Sequence, residues 1–126
     1  MIDHVEIGVS DLARSKDFYA RALAPLGYRV MMELGPPVVA VKFAGLGRSR
    51  PDLWLAERGA NRPILHVALR ADDRGVVDAF HRAGLAAGGR DNGKPGLRPH
   101  YHANYYGAFV LDPDGHNLEA VCHAPA

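Results

Sequence analysis

The chain has 126 residues, 48% hydrophobic and 23% charged, which suits one folded domain and excludes extensive disorder. Its 15 basic and 14 acidic residues leave a formal net charge of +1, so charge makes no case for nucleic acid or an anionic membrane as partner. The single cysteine, Cys122, excludes an internal disulfide and fits a reducing, cytoplasmic setting.

No basic segment followed by an apolar run opens the sequence, so no signal peptide is expected. No apolar run is long enough to span a bilayer either. Residues 2–9 alternate with period two and predict a strand. Ser10 or Asp11 can cap a following helix in which Leu12, Phe18, Leu23 and Leu26 recur near helical spacing. Pro25 and Gly27 close it. Residues 28–34 and 38–44 read as strands joined by Gly35, Pro36 and Pro37, and residues 52–57 as a fourth strand after a loop at 45–51. Residues 59–63 read as a linker.

The second half opens with a strand at 64–70 and a helix from about 72 to 83. Residues 85–90 are read as a short strand and 91–103 as a long Gly/Pro-rich binding loop. Strands at 104–111 and 117–123 end the chain. Between them, Asp112-Pro113-Asp114-Gly115 suits a type I turn, with Pro second and Gly fourth.

The two halves resemble each other. His4-Val5 and His66-Val67 lie 62 positions apart, and the same offset carries Asp11 onto Asp73 and Phe18 onto Phe80. The expected architecture is therefore α+β: one domain over 1–126, built as βαβββ modules at 1–58 and 64–123, with helices on the outer face of a curved mixed-sheet cup.

Alternation assigns the apolar positions of each strand to the helix side. His4, His66 and Glu119 then fall on the opposite faces, turned into the cup. Two imidazoles and a carboxylate are a sufficient donor set for Zn, Ni, Co, Fe or Mn, with open positions for water and substrate. The plain alternative for each residue is a solvated strand side chain.

These segments resemble the glyoxalase, bleomycin-resistance and extradiol-dioxygenase family, the vicinal oxygen chelate superfamily. The carriers are Ile2-Asp3-His4-Val5, Leu65-His66-Val67-Ala68-Leu69 and the stretch from Phe109 to Glu119 across the Asp-Pro-Asp-Gly turn. The resemblance implies paired βαβββ modules and metal ligands at His4, His66 and Glu119. It implies a metal-dependent enzyme in which a divalent cation chelates two oxygens of a small substrate, for lyase, isomerase or dioxygenase chemistry. The alternative is a metal-free small-molecule-binding or drug-sequestering protein of the same fold. In the glyoxalase I branch a Glu or Gln on the fourth strand adds another ligand. Trp54 stands there in this chain, which points away from glyoxalase I itself, and no glutathione-binding signature is present. A homodimer is expected by analogy with the family.

Other residues complete the expected site. Trp54 is an aromatic wall for substrate. Arg70, on the face of His66, is a candidate for substrate anions or for a pair with Glu6. One of Tyr105 and Tyr106 should reach the cup, and Tyr106 is taken as the catalytic, substrate-positioning hydroxyl. Glu119 is given a catalytic as well as a ligating role. His102, beside His100 in the long loop, is the candidate proton shuttle. His81, His116 and His123 are read as exposed, and Cys122 as a buried small hydrophobe.

Overall fold

The computed structural model describes residues 1–126. Module 1 comprises β1 (Val5–Gly8), α1 (Leu12–Ala22), β2 (Arg29–Leu34), β3 (Phe43–Gly47) and β4 (Pro51–Ala56). Module 2 comprises β5 (His66–Arg70), α2 (Arg74–Ala86), β6 (Arg90–Leu97), β7 (Tyr106–Leu111) and β8 (Asn117–Cys122). The repeat is carried into topology. One sheet has the order β1-β4-β3-β2 and the other β5-β8-β7-β6. In each, the first strand pairs in parallel with the last, Val5 with Leu53 and Val67 with Leu118. The helices start at equivalent residues for one physical reason: Asp11 accepts from the Arg14 N–H at 3.1 Å and Asp73 from the Val76 N–H at 2.9 Å.

Helix and sheet share one core. Ile7, Leu53 and Leu55 of the first sheet join Phe18 and Leu23 of module 1, and Phe80, Val110 and Leu118 of module 2, in one buried cluster. Cys122 belongs to that cluster.

Three strand expectations shift. Residues 38–44 carry a β-branched run, but pairing with β2 begins only at Leu34 opposite Phe43. The residues before it form a loop, with Val38 exposed, because Pro36 and Pro37 offer no N–H to a ladder. Residues 85–90 are mostly the end of α2 and its turn rather than a strand. Much of the expected long loop is instead β6, an edge strand with bulges around Gly93. Its Gly and Pro content hides it from alternation, and an edge tolerates both. Gly93 has φ +156°, and a Cβ there would approach a Phe109 ring carbon to 2.7 Å.

The turn before β8 ties the modules together. Asp112 is buried, and one of its oxygens accepts from the N–H groups of Asp114 (2.9 Å) and His116 (2.8 Å). The other accepts the Tyr19 hydroxyl of α1 at 2.6 Å. Burial and then Asp112 push the Tyr19 pKa well above its ordinary value. His116, expected to be exposed, is buried instead. Its Nδ1 accepts from the Leu65 N–H at 3.1 Å, and its Nε2–H donates to the Gly8 carbonyl at 3.0 Å. Ser10 and Asp114 add a further link, the Ser10 N–H donating to Asp114 at 3.1 Å. His81 is also buried, against Asp91 at 2.9 Å, and that hydrogen bond holds the Asp91 carboxyl below its ordinary range.

Tyr19→Phe keeps the ring and removes the hydroxyl, leaving a buried carboxylate oxygen without its donor. Chemical denaturation is expected to show a loss of about 1–3 kcal/mol.

Candidate functional site

Glu119 sits mid-β8, facing away from the helices. Its register partners are Ala68 of β5 and Phe109 of β7. The carboxylate is 1% exposed, so it needs partners to offset lost hydration. It has two. The His66 ring nitrogen Nε2 lies 2.7 Å from Oε1, and the Tyr105 hydroxyl donates to Oε2. His66 itself is half-exposed, so the pair lies at a solvent-facing mouth with its carboxylate underneath. Burial, then the hydrogen bond to Glu119, pushes the Tyr105 pKa up to about 12.

The two tyrosines therefore divide as their alternation requires. Tyr105 precedes β7 and reaches Glu119. Tyr106, expected at the cup, lies on the helix side of the sheet, donates to Asp78 of α2 at 2.7 Å and carries the Arg74 guanidinium over its ring. That bond and burial raise its pKa.

His102 also stands near Glu119, but one side chain removed. Its ring meets Tyr105 edge-on at 5.5 Å, and its Nε2 lies 2.8 Å from His123 Nδ1. Its own Nδ1 accepts the Asn104 N–H at 3.1 Å. His100 packs at a tilt against Tyr101, with ring centroids 4.2 Å apart, outside the contacts of Glu119.

His4 belongs to the other sheet, immediately before β1. It is exposed, and its Nδ1 is 2.7 Å from Asp3, which leaves Nε2 without a partner. The hydrogen bond to His4 and the charge of Arg50 hold the Asp3 carboxyl low. His4 and Trp54 line a cavity of about 300 Å³ with Glu6, Leu34, Val39 and Phe43. Trp54 meets Phe43 edge-on at 6.5 Å. It can lie over β3 because Gly45 has no side chain there, where a Cβ would come within 2.8 Å of the indole. Glu6 pairs with Arg58 at 3.2 Å, not with Arg70.

The structure thus brings His66 and Glu119 together and leaves His4 on another sheet. No three His, Cys, Asp or Glu side chains of one chain converge as a metal cage. Within the pair, the donor set suits a divalent cation: an imidazole nitrogen and a carboxylate oxygen face each other, and the cation would replace the proton they share. Sequence reasoning weighed Tyr105 but chose Tyr106, and it missed Asp3. Tyr105 was legible as the face-mate of Gly107 and Phe109. Alternation over residues 2–9 would put Asp3 and His4 on opposite faces, but both precede Val5, the first paired residue of β1, where alternation no longer governs them.

Tyr28 makes a fourth hydroxyl–carboxylate bond, to Asp52 at 2.8 Å, and burial with this bond pushes its pKa up to about 12. Both Tyr28 and Tyr105 stay protonated in the fold where the unfolded chain ionises. Their contribution is complete below the ordinary value of 10.0 and is lost as pH rises toward about 12. Stability is therefore expected to fall across that window. Ultraviolet titration should show both hydroxyls ionising late in the native protein, and Tyr28→Phe should flatten part of the decline.

The family model for the Glyoxalase/Bleomycin resistance protein/Dioxygenase superfamily matches residues 1–120. A search of the curated proteins finds no match. Among solved structures, a glyoxalase/bleomycin resistance protein from Albidiferax ferrireducens T118 is 26% identical, with TM-score 0.73, covering 97% of this chain and 98% of that one. Glyoxalase I from Zea mays is also 26% identical, with TM-score 0.72, covering 96% of this chain and 45% of that one. TioX from Micromonospora sp. ML1 shares the fold at 20% identity and TM-score 0.72, covering 98% and 99%. No helix is long and apolar enough to cross a membrane.

Proposed function

The chain belongs to the glyoxalase/bleomycin resistance protein/dioxygenase superfamily, and from that premise we propose a metal-dependent enzyme acting on a small molecule, its site shared between two copies of the chain. His66 and Glu119 of one copy and His4 of the second would hold a divalent cation. The cation would supply Lewis-acid stabilisation of substrate oxygens, for lyase, isomerase or dioxygenase chemistry.

The observation that carries this reading is the state of the three donors. His66 and Glu119 already face each other at 2.7 Å at a solvent-facing mouth. His4 is oriented through Nδ1 by Asp3 and keeps Nε2 free, the arrangement common in metal-binding histidines. Each sheet presents a part of the donor set that is incomplete alone. A two-fold dimer would unite complementary parts twice. Tyr105 holds Glu119 at its second oxygen and fixes the carboxylate's orientation. The cavity of Trp54, Phe43 and Leu34 offers an apolar wall beside His4 for the carbon skeleton of a substrate. His102 keeps its proposed role at one remove, behind Tyr105, whereas Arg70 stands at the far end of β5 and lines a different cavity.

Metal retained after dialysis tests the reading, measured on untagged wild type, His4→Ala and Glu119→Ala with sedimentation of each. Wild type is expected to be a dimer with stoichiometric metal, and each variant to lose it. Unfolding and refolding the two variants together should restore binding, because each mixed dimer has one intact site. Loss in both variants without restoration would place all the ligands in one chain. Wild type that takes up no metal after loading would overturn the enzyme and favour a metal-free binding protein. Asp3→Ala should weaken metal affinity by about 10–100-fold, as loss of an orienting partner does elsewhere.

A further inference from the structure

The seam between the modules holds another cavity, a polar one of about 280 Å³, away from Glu119. Its lining combines Tyr28, Arg48, Ser49, Arg50 and Asp52 of module 1 with Arg70 of module 2. Arg70 is the last residue of β5, four positions beyond His66, or about 13 Å along an extended strand.

Three guanidinium groups facing one small cavity repel one another, and their neighbours only partly offset this. Arg48 reaches Asp72 at 3.5 Å and Arg50 reaches Asp3 at 3.4 Å. Both pairs are long and both acids are largely exposed, at 77% and 74%, so each pair is weak in water. Asp52 is the one acid in the lining, and its carboxylate is engaged by the Tyr28 hydroxyl at 2.8 Å. Arg70 makes no ion pair within the chain.

Arg48 and the turn that carries Arg50 are also held in place. Gly47 lets the β3–β4 turn close tightly, since a Cβ there would fall 1.9 Å from the Arg50 carbonyl oxygen. Arg48 Nε donates to the Leu26 carbonyl at 2.7 Å, which fixes its stem beside the cavity. Planar, permanently charged guanidinium groups in a fixed arrangement match the paired oxygens of a phosphate or carboxylate.

We infer that this cavity is a binding site for a small oxyanion, a phosphate- or carboxylate-bearing molecule, distinct from the His66–Glu119 site and bridging the modules. Arg70 is its unneutralised anchor, Arg50 the second arm, and Ser49 an added hydroxyl donor at the turn. Because the ligand would touch both modules, its binding would stabilise the folded chain against unfolding.

Calorimetric titration and thermal melting of chelator-treated protein test this, with inorganic phosphate and succinate as separate probes and chloride balancing ionic strength. Chelation keeps phosphate from reporting on a bound metal, so this result is independent of the metal reading. Saturable binding of at least one probe is expected, with a rise in melting temperature. The stronger probe identifies the oxyanion. Arg70→Ala should weaken binding by about tenfold or more, and Arg50→Ala should weaken it too. Arg29→Ala, which removes the same charge from exposed β2, should leave it unchanged. Arg70→Ala has no ion pair to lose and relieves repulsion, so its melting temperature without probe should equal or exceed that of wild type. Lack of saturation with both probes, or equal losses in Arg29→Ala and Arg70→Ala, would overturn the site.

Discussion

The buried carboxylate of Asp112 is the constraint on which the rest of the molecule depends. It gathers the N–H groups of its own turn and the hydroxyl of Tyr19 from the other module. A buried charge is tolerable only when its oxygens are satisfied, so turn and α1 are locked together. The locked turn delivers His116 to a spot where one imidazole satisfies the carbonyl ending β1 and the N–H preceding β5. The first strands of both modules are thereby set against the start of β8. Glu119 follows His116 by three residues and inherits its position from that joint.

A second buried carboxylate, Glu119, meets the same requirement differently. Its partners are a half-exposed histidine and a tyrosine, and both stand on the solvent side of the sheet. Asp112 is enclosed and therefore structural. Glu119 is covered by His66 and Tyr105, groups that touch solvent, so its carboxylate lies one side chain from the surface. The two residues are alike in chemistry and burial, and their partners decide which is available for function.

The duplicated architecture also distributes the chemistry. Each module sets a histidine at or just before its first strand near a residue of its last strand. In module 2 those are His66 and Glu119, a polar pair. In module 1 they are His4 and Trp54, a donor beside an apolar wall. The halves have diverged into complementary surfaces, and the seam where they meet concentrates arginine. The His66–Glu119 pair and the arginine-lined cavity thus lie on separate parts of one small domain.

Local pattern determined a good deal here. The offset between His4 and His66, the capping residues Asp11 and Asp73, and the Asp-Pro-Asp-Gly turn all act through near neighbours, so the two-module α+β fold was legible from them. Alternation likewise placed His66 and Glu119 on one face. It separated Tyr105 from Tyr106 without saying which faced Glu119. The edge strand β6 escaped because bulges, Gly93 and Pro95 break the period that reveals a strand. Only the tertiary structure decided that His116 is buried, that Asp3 rather than solvent orients His4, and that His4 lies on another sheet from Glu119. Those outcomes depend on how two modules dock, through contacts such as Tyr19 with Asp112 that span most of the chain. A sequence pattern records which side of its own strand a residue takes, and the packing of one sheet against the rest settles what it meets there.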